Sequence, residues 1–423
     1  MKISYRLLMI IVILLVSSCL CHGFEFGKLS IKGYSTLGVS WDDHDDLIPL
    51  RDIFQNLEDS NDLTWELDSR VGVQARYNLF DSLYFVTQGV YTNRAHSNFD
   101  SILSSAFVAY RFKNLYEIRL GRLPFNTLLL GNNRNLGFSY MWVRPPVETY
   151  AAIPVFAVDG AQVSYVHSWN RYQVSTGLQL GHYNVYIPLD RTEYNMEMDL
   201  IMLGYLQIQR GTFRVKLSQT YAHIDSASPL MGFTPAMQSI MDATETAYPK
   251  IYQEAENFKH HLQFNDQAVY YTSIGASYET ENWSVQTEYT HSNGTTNVIP
   301  HGNSFYACVG RNIGKVTPYI MYSMIRPTHD TVNLKDKDWS VLGEGAEGLL
   351  RSAIGALNGA IADQESKVLG VKYNLSNSTI LKLQYDAIKI APNGSVLWRH
   401  TANDTRPEHN YVNLLSLNME ILF

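Results

Sequence analysis

Cysteine is nearly absent from this chain. Of its three cysteines, Cys19 and Cys21 sit near the start and only Cys308 lies further on. A single thiol builds neither a disulfide framework nor a cysteine metal site, and Cys308 reads as a small packing residue. Long apolar runs are missing too. Beyond residue 23, no stretch approaches the roughly 20 apolar residues that a membrane-spanning helix needs. Catalytic signatures are equally scarce. There is no Gly-x-Ser-x-Gly elbow, no His-Glu-x-x-His, no phosphate-cradling glycine loop and no dinucleotide fingerprint. The carboxylate pairs Glu66/Asp68 and Glu197/Asp199 read as polar wall residues rather than as an acid and a base. His260 and His261 have no further ligand nearby at metal spacing. The chain is therefore read as no enzyme, with no cofactor. Excess positive charge is also lacking, since the formal net charge is -7. Such an acidic balance argues against nucleic acid as a partner.

What is present begins with a leader. Lys2 and Arg6 precede an unbroken apolar run from Leu7 to Val16, followed by small residues, which is the layout of a secretory signal. Cleavage after Gly23 starts the mature chain at Phe24 and leaves one domain, 24–423. A competing cut precedes Cys19, because Val16-Ser17-Ser18-Cys19 resembles a bacterial lipoprotein site. Without Lys2 and Arg6 the net charge becomes about -9.

The rest of the chain alternates. At the C-terminus, Phe423, Ile421, Met419, Leu417 and Leu415 are apolar, while Ser416, Asn418 and Glu420 between them are polar. A two-residue period fits a strand with one greasy and one wet face. Alternation and turn residues together give about sixteen strands. They fall at 29–41, 63–79, 82–93, 101–112, 115–123, 156–168, 171–186, 195–209, 211–225, 267–280, 282–293, 303–313, 315–326, 365–375, 378–390 and 410–423. In 63–79, Trp65, Leu67, Val71 and Val73 oppose Glu66, Asp68, Arg70 and Arg76. In 195–209, Met196, Met198, Leu200 and Met202 oppose Glu197 and Asp199. Connections alternate strictly between short turns, such as Lys113-Asn114, Trp169-Asn170 and Ile313-Gly314, and long loops. A soluble sandwich has no reason to place every long loop at one end, whereas outer-membrane barrels do. In lipid every backbone N–H and C=O needs a protein partner, which only a closed sheet supplies. The 28 tyrosines suit interfacial aromatic girdles. The expected fold is all-β: a transmembrane antiparallel β-barrel with short periplasmic turns and long extracellular loops. Side chains cannot fill so wide a barrel, so a water-filled lumen is expected.

The terminal strand resembles that of Gram-negative outer-membrane β-barrels, whose assembly machinery reads a final aromatic and alternating apolar positions. Phe423, Ile421 and Met419 are the matching residues here. The loop after the fifth strand resembles the constriction loop of the sixteen-stranded general and solute-selective porins. It runs from Leu123-Pro124-Phe125 through Gly131-Asn132-Asn133-Arg134 and Trp142-Val143-Arg144-Pro145-Pro146-Val147-Glu148-Thr149-Tyr150 to Pro154. That resemblance implies a loop folded into the pore, a channel for small hydrophilic solutes, residence in the outer membrane beside lipopolysaccharide, and a homotrimer. The wall residues Arg70, Arg76, Arg111, Arg119 and Arg122 and the loop residues Arg134, Arg144 and Glu148 are the candidate pore-lining set. Resembling porins set basic wall residues against an acidic loop. This loop departs from them by carrying arginines, so the expected lean is towards anions.

Further readings concern the loops. Between Trp339 and Gln364, Leu342, Ala346, Leu349, Ala353, Leu357 and Ile361 recur at helical spacing, and 235–258 is similar. Asp42-Asp43-His44-Asp45-Asp46 reads as a hydrated acidic loop. The alternative function is a non-conducting surface barrel acting as an adhesin or receptor. Amino-terminal sequencing of the protein purified from membranes is expected to start at Phe24. A lipid-modified terminus at Cys19 would overturn that boundary.

Overall fold

A computed structural model describes residues 23–44, 46–55, 63–94, 99–153, 155–189, 192–228, 242, 266–295, 300–329, 345, 347–348, 354, 358, 361–400 and 410–423. Residues 1–22 of the leader, His260-His261 and, Asp242 apart, the segment 235–258 lie outside the described residues. Most of the helical segment expected at 339–364 does too, although Gly345, Glu347, Gly348, Ile354 and Asn358 are helical and a strand has begun by Ala362.

Sixteen long strands close into one antiparallel barrel. The first eight are β1 (Leu29–Asp42), β2 (Arg70–Asn78), β3 (Leu83–Thr92), β4 (Leu103–Phe112), β5 (Tyr116–Pro124), β6 (Ala157–Trp169), β7 (Tyr172–Leu189) and β8 (Thr192–Arg210). The second eight are β9 (Phe213–Ile224), β10 (Gln267–Glu279), β11 (Trp283–Gly294), β12 (Gly302–Arg311), β13 (Val316–Pro327), β14 (Ala362–Asn374), β15 (Thr379–Ser395) and β16 (Asn410–Leu422). Each pairs with its sequence neighbours, and β16 returns to pair with β1, from Tyr34↔Leu422 to Asp42↔Leu414. At the short turns Lys113, Asn114, Asn170, Gly211 and Gly314 all have positive φ. Asn and Gly tolerate that region best, which explains turns this tight.

The alternation read from the terminal strand holds. Leu415 and Leu417 face outwards and are exposed, whereas Ser416, Asn418 and Glu420 face inwards and are buried. Phe423 completes the seam. Its N–H donates to the Gly33 carbonyl at 2.9 Å and its carbonyl accepts from Gly33 N–H at 2.7 Å. The ring packs over Gly33, where an added Cβ would stand 2.1 Å from Phe423 Cε2. Below this point Phe24–Phe26 pairs with the foot of β1, which extends the seam past the end of the chain.

Departures from simple alternation at two places move candidate residues. The stretch 63–79 is not one strand. Leu63–Thr64 pairs with Trp41 and Ser40, then the chain bulges inwards before Arg70 pairs with Thr36. The bulge buries Leu67 and Asp68, each 1 % exposed. In β8 the phase flips. A register shift between Gly181 and Tyr183 of β7 turns Met196 and Met198 inwards, whereas Met202, Leu206 and Ile208 face outwards. Glu197 and Asp199 therefore leave the lumen face expected for them. A local bulge costs little, and it re-aims every side chain beyond it.

If the Gly33–Phe423 contact closes the barrel, Gly33→Val should lower the temperature at which the folded band on a detergent gel converts to the unfolded one. Adding Phe423→Ala should recover part of that loss. A single variant that melts like the parent would sink the idea.

Candidate functional site

The loop from Phe125 to Phe156, between β5 and β6, turns into the barrel and is held from nearly all sides. On β9, Lys216 Nζ donates to the carbonyls of Asn126 (2.9 Å) and Leu128 (2.6 Å). On β11, the Glu288 carboxylate accepts from Leu129 N–H and from the Tyr150 hydroxyl, both at 2.7 Å. Across the barrel, Arg70 donates to the Asn135 carbonyl (2.8 Å) and the Tyr140 hydroxyl (3.1 Å). Lys382 on β15 donates to the carbonyls of Gly137 (2.7 Å) and Trp142 (2.8 Å), and ion-pairs with Glu420 at 3.1 Å. A loop carries backbone groups that no sheet ladder satisfies, so wall side chains must supply the partners.

The Trp142 to Tyr150 segment carries the tightest contacts. Arg144 Nη2 meets Asp68 Oδ2 at 2.6 Å while Nε meets Oδ1 at 3.2 Å, a two-pronged, charge-assisted pair. Asp386 stands 3.5 Å from its other nitrogen. Glu148 accepts from Ser323 (2.8 Å), Gln364 (2.7 Å) and Ser366. Trp142 is wholly buried, stacked on Tyr140 and edge-on to Tyr306. The loop is thus a packed insert with a hydrophobic core of its own. That core reaches Met196, Met198, Ile224 and Met321 on the walls.

No protein-family model matches the sequence, and no curated protein does. Solved structures do match in shape. The anion-selective porin from Comamonas acidovorans is 11 % identical with a TM-score of 0.51, over 93 % of this chain and 99 % of that one. Salmonella typhi OmpF, in a complex with daunomycin, is 10 % identical with a TM-score of 0.51, over 93 % of this chain and 97 % of that one. The outer membrane channel DcaP of Acinetobacter baumannii is 10 % identical with a TM-score of 0.50, over 95 % and 99 %. The fold is the porin fold.

In this barrel the candidate residues separate into three groups. Arg70, Arg144 and Glu148 are at most 4 % exposed, and their charge goes into holding the loop. They are anchors. The expectation that Arg144 and Glu148 bear on solutes as open eyelet charges is corrected accordingly. Arg76, Arg111 and Arg119 gather beside the short turns. Arg111 and Arg119 share Glu117 at 2.9 and 2.7 Å, and Arg76 lies 3.9 Å over the Tyr84 ring. The Arg111 side chain is 40 % exposed against 12 % for Glu117, so guanidinium rather than carboxylate meets the water. Arg122 and Arg134 form the third group, near the long-loop rim. Arg122 shares a face with Leu120 and pairs with Asp159 at 2.8 Å, on the outer side, so its place in a pore-lining set is corrected too. Arg134 donates to the Val155 carbonyl and lies 3.6 Å over Phe156. Burial pulls its guanidinium down to about 9, which leaves it charged at neutral pH.

Lys216, Lys382, Glu288 and Asp386 alternate as wall residues in the sequence, and nothing there marked them as loop anchors. Ser323, Gln364, Ser366 and Gln384 gave no signal beyond being polar on inward positions. A second buried cluster also escaped the strand pattern. The ribbon of Leu47–Pro49 paired with Trp398–His400 packs on Val412, Leu414, Ile388 and Ile390 inside the barrel.

Asp68→Asn should destabilise the barrel by about 3–5 kcal/mol, because it strips the nearest counter-charge from a buried guanidinium. Urea unfolding in detergent micelles reads the loss. A change within error would show that Asp386 and the serine hydroxyls suffice.

Proposed function

We propose that this chain is a passive outer-membrane channel that admits small hydrophilic solutes and ions, with a weak preference for anions. The observation that carries the reading is a long loop folded into a closed, membrane-sized barrel and fastened there by buried charge. A loop so placed narrows the passage to a fixed aperture. The anion preference rests on the short-turn end, where Arg111 and Arg119 share one acidic partner, Glu117, and Arg76 lies over the neighbouring Tyr84 ring. Like charges along a low-dielectric passage raise the local concentration of counter-ions. A homotrimer, insertion by the barrel-assembly machinery through the Phe423 strand, and contact with lipopolysaccharide belong to the same reading. Glu66 and Asp68 serve different partners, Asn93 and Arg144, which favours a channel over an enzyme.

One observation favours a second reading. The lumen holds two large apolar clusters, and the ribbon of Leu47–Pro49 with Trp398–His400 is part of one. A barrel filled to that extent suits a non-conducting surface receptor or adhesin.

Planar-bilayer recording separates the two readings, since discrete conductance steps are expected only of a channel. If steps appear, the reversal potential in a salt gradient should indicate anion preference. Replacing Arg76, Arg111 and Arg119 by Gln should move it towards cations, and Glu117→Gln should move it the other way. A cation-selective parent protein rejects the lean.

A further inference from the structure

The inward fold of the loop has a cost at the wall. β6 begins at Ala157, and its first pairing with β7 on that side is Asp159↔His182, whereas β7 runs on to Leu189. Above Asp159 the sheet therefore has a notch. A cavity of ≈ 210 Å³ occupies it, touched by Tyr183 and Val185 from the inner face of β7 and by His182 and Asn184 from the outer. That volume leaves room for a small organic molecule.

One side of the cavity is aromatic. Phe54 and Phe156 meet edge to face at 4.9 Å, and both line it. The Phe156 ring carries two guanidiniums, Arg134 at 3.6 Å and Arg94 at 4.5 Å, and Arg94 also lines the cavity. The opposite side is ionic. Asp159 is fully engaged, with both its oxygens on Arg122 at 2.8 Å. The remaining nitrogen of Arg122, Nη1, has only long contacts: 3.2 Å to the Asp100 carbonyl, 3.5 Å to that of Leu103 and 3.5 Å to Asp100 Oδ1. The Asp100 side chain is 77 % exposed, so it holds this position loosely.

We propose that this notch is a binding subsite for a small planar anion, of the chemical class of the aromatic carboxylates. The ring of such a solute stacks against the Arg94–Phe156 surface, as planar guanidinium and aromatic faces do. Its carboxylate takes Nη1 of Arg122 by displacing Asp100, which acts as a tethered competitor. Guanidinium and carboxylate then meet in a partly enclosed site, where a charge-assisted bond outweighs one in open water. The proposal rests on the channel reading only for its role, capture of solute at the rim beside the long-loop mouth, with Arg122 reached through the notch rather than from the pore wall. The binding itself does not depend on conduction.

Calorimetric titration of the folded, detergent-solubilised mature protein with benzoate tests the binding directly. Saturable binding on the order of millimolar is expected, with acetate weaker because it lacks the ring. Arg94→Gln should weaken benzoate about tenfold, the order of loss for one desolvated cation–π contact. Asp100→Asn should tighten it, because the competitor loses its charge while the exposed helical turn at Phe99–Ile102 keeps its shape. Absence of saturable binding overturns the proposal, as does acetate binding as well as benzoate. Arg94→Gln without effect, or Asp100→Asn that weakens binding, overturns it too. Bilayer recording keeps the two readings apart. Conductance without benzoate binding defeats the subsite alone, and benzoate binding without conductance defeats the channel alone.

Discussion

Backbone hydrogen bonding across the β1–β16 seam is the constraint on which everything else depends. An open sheet edge in hydrocarbon leaves N–H and C=O groups unpaired at several kcal/mol each. Here the first strand meets the last over Tyr34 to Asp42, and Gly33 exchanges both its backbone bonds with the terminal residue. Glycine suits that position because the Phe423 ring lies where a side chain would otherwise stand. Sixteen strands then define an interior wider than wall side chains can fill, and the chain answers with its own loop.

The loop is held by a mixture of charge and apolar packing that neither component explains alone. Arg144, Lys382, Lys216 and Glu288 each sit where water is scarce, and each is met by a carboxylate, carbonyl or hydroxyl at ordinary hydrogen-bond distance. Buried charges add little net stability against an apolar substitute, yet removing one partner is severe. Such anchors specify one placement for the loop. Trp142, Tyr306 and Tyr319 supply the burial that makes the placement stable. An interior filled in this way confines open water-filled space to part of the wall, and the exposed arginines beside the short turns belong to that part.

The strands were legible because alternation is a local signal. Each residue's face follows from its neighbours, and turn residues mark where one strand gives way to the next. Legibility failed where a bulge intervened. Leu67 and Asp68 turn inwards at a break in the expected strand, and Met196 and Met198 change sides through the shift at Gly181 and Tyr183. A bulge leaves no mark in composition, because it is set by how two strands pair. The candidate charges were legible only as types. Arg70, Arg76, Arg122 and Arg144 look alike in the sequence, although one caps a loop carbonyl, one lies over a tyrosine, one pairs on the outer face and one is buried against Asp68.

By itself, then, the sequence determined the class of fold and the number of strands. Both follow from period, turn chemistry and the rule that lipid leaves no backbone group unpaired. Only the tertiary structure decided which charges face water and which are used up as anchors. It also decided that much of the lumen is packed and that the wall is notched above Asp159. Those outcomes depend on contacts between residues tens to hundreds of positions apart, such as Asp68 with Arg144 or Gly137 with Lys382. A one-dimensional pattern holds no record of such distances.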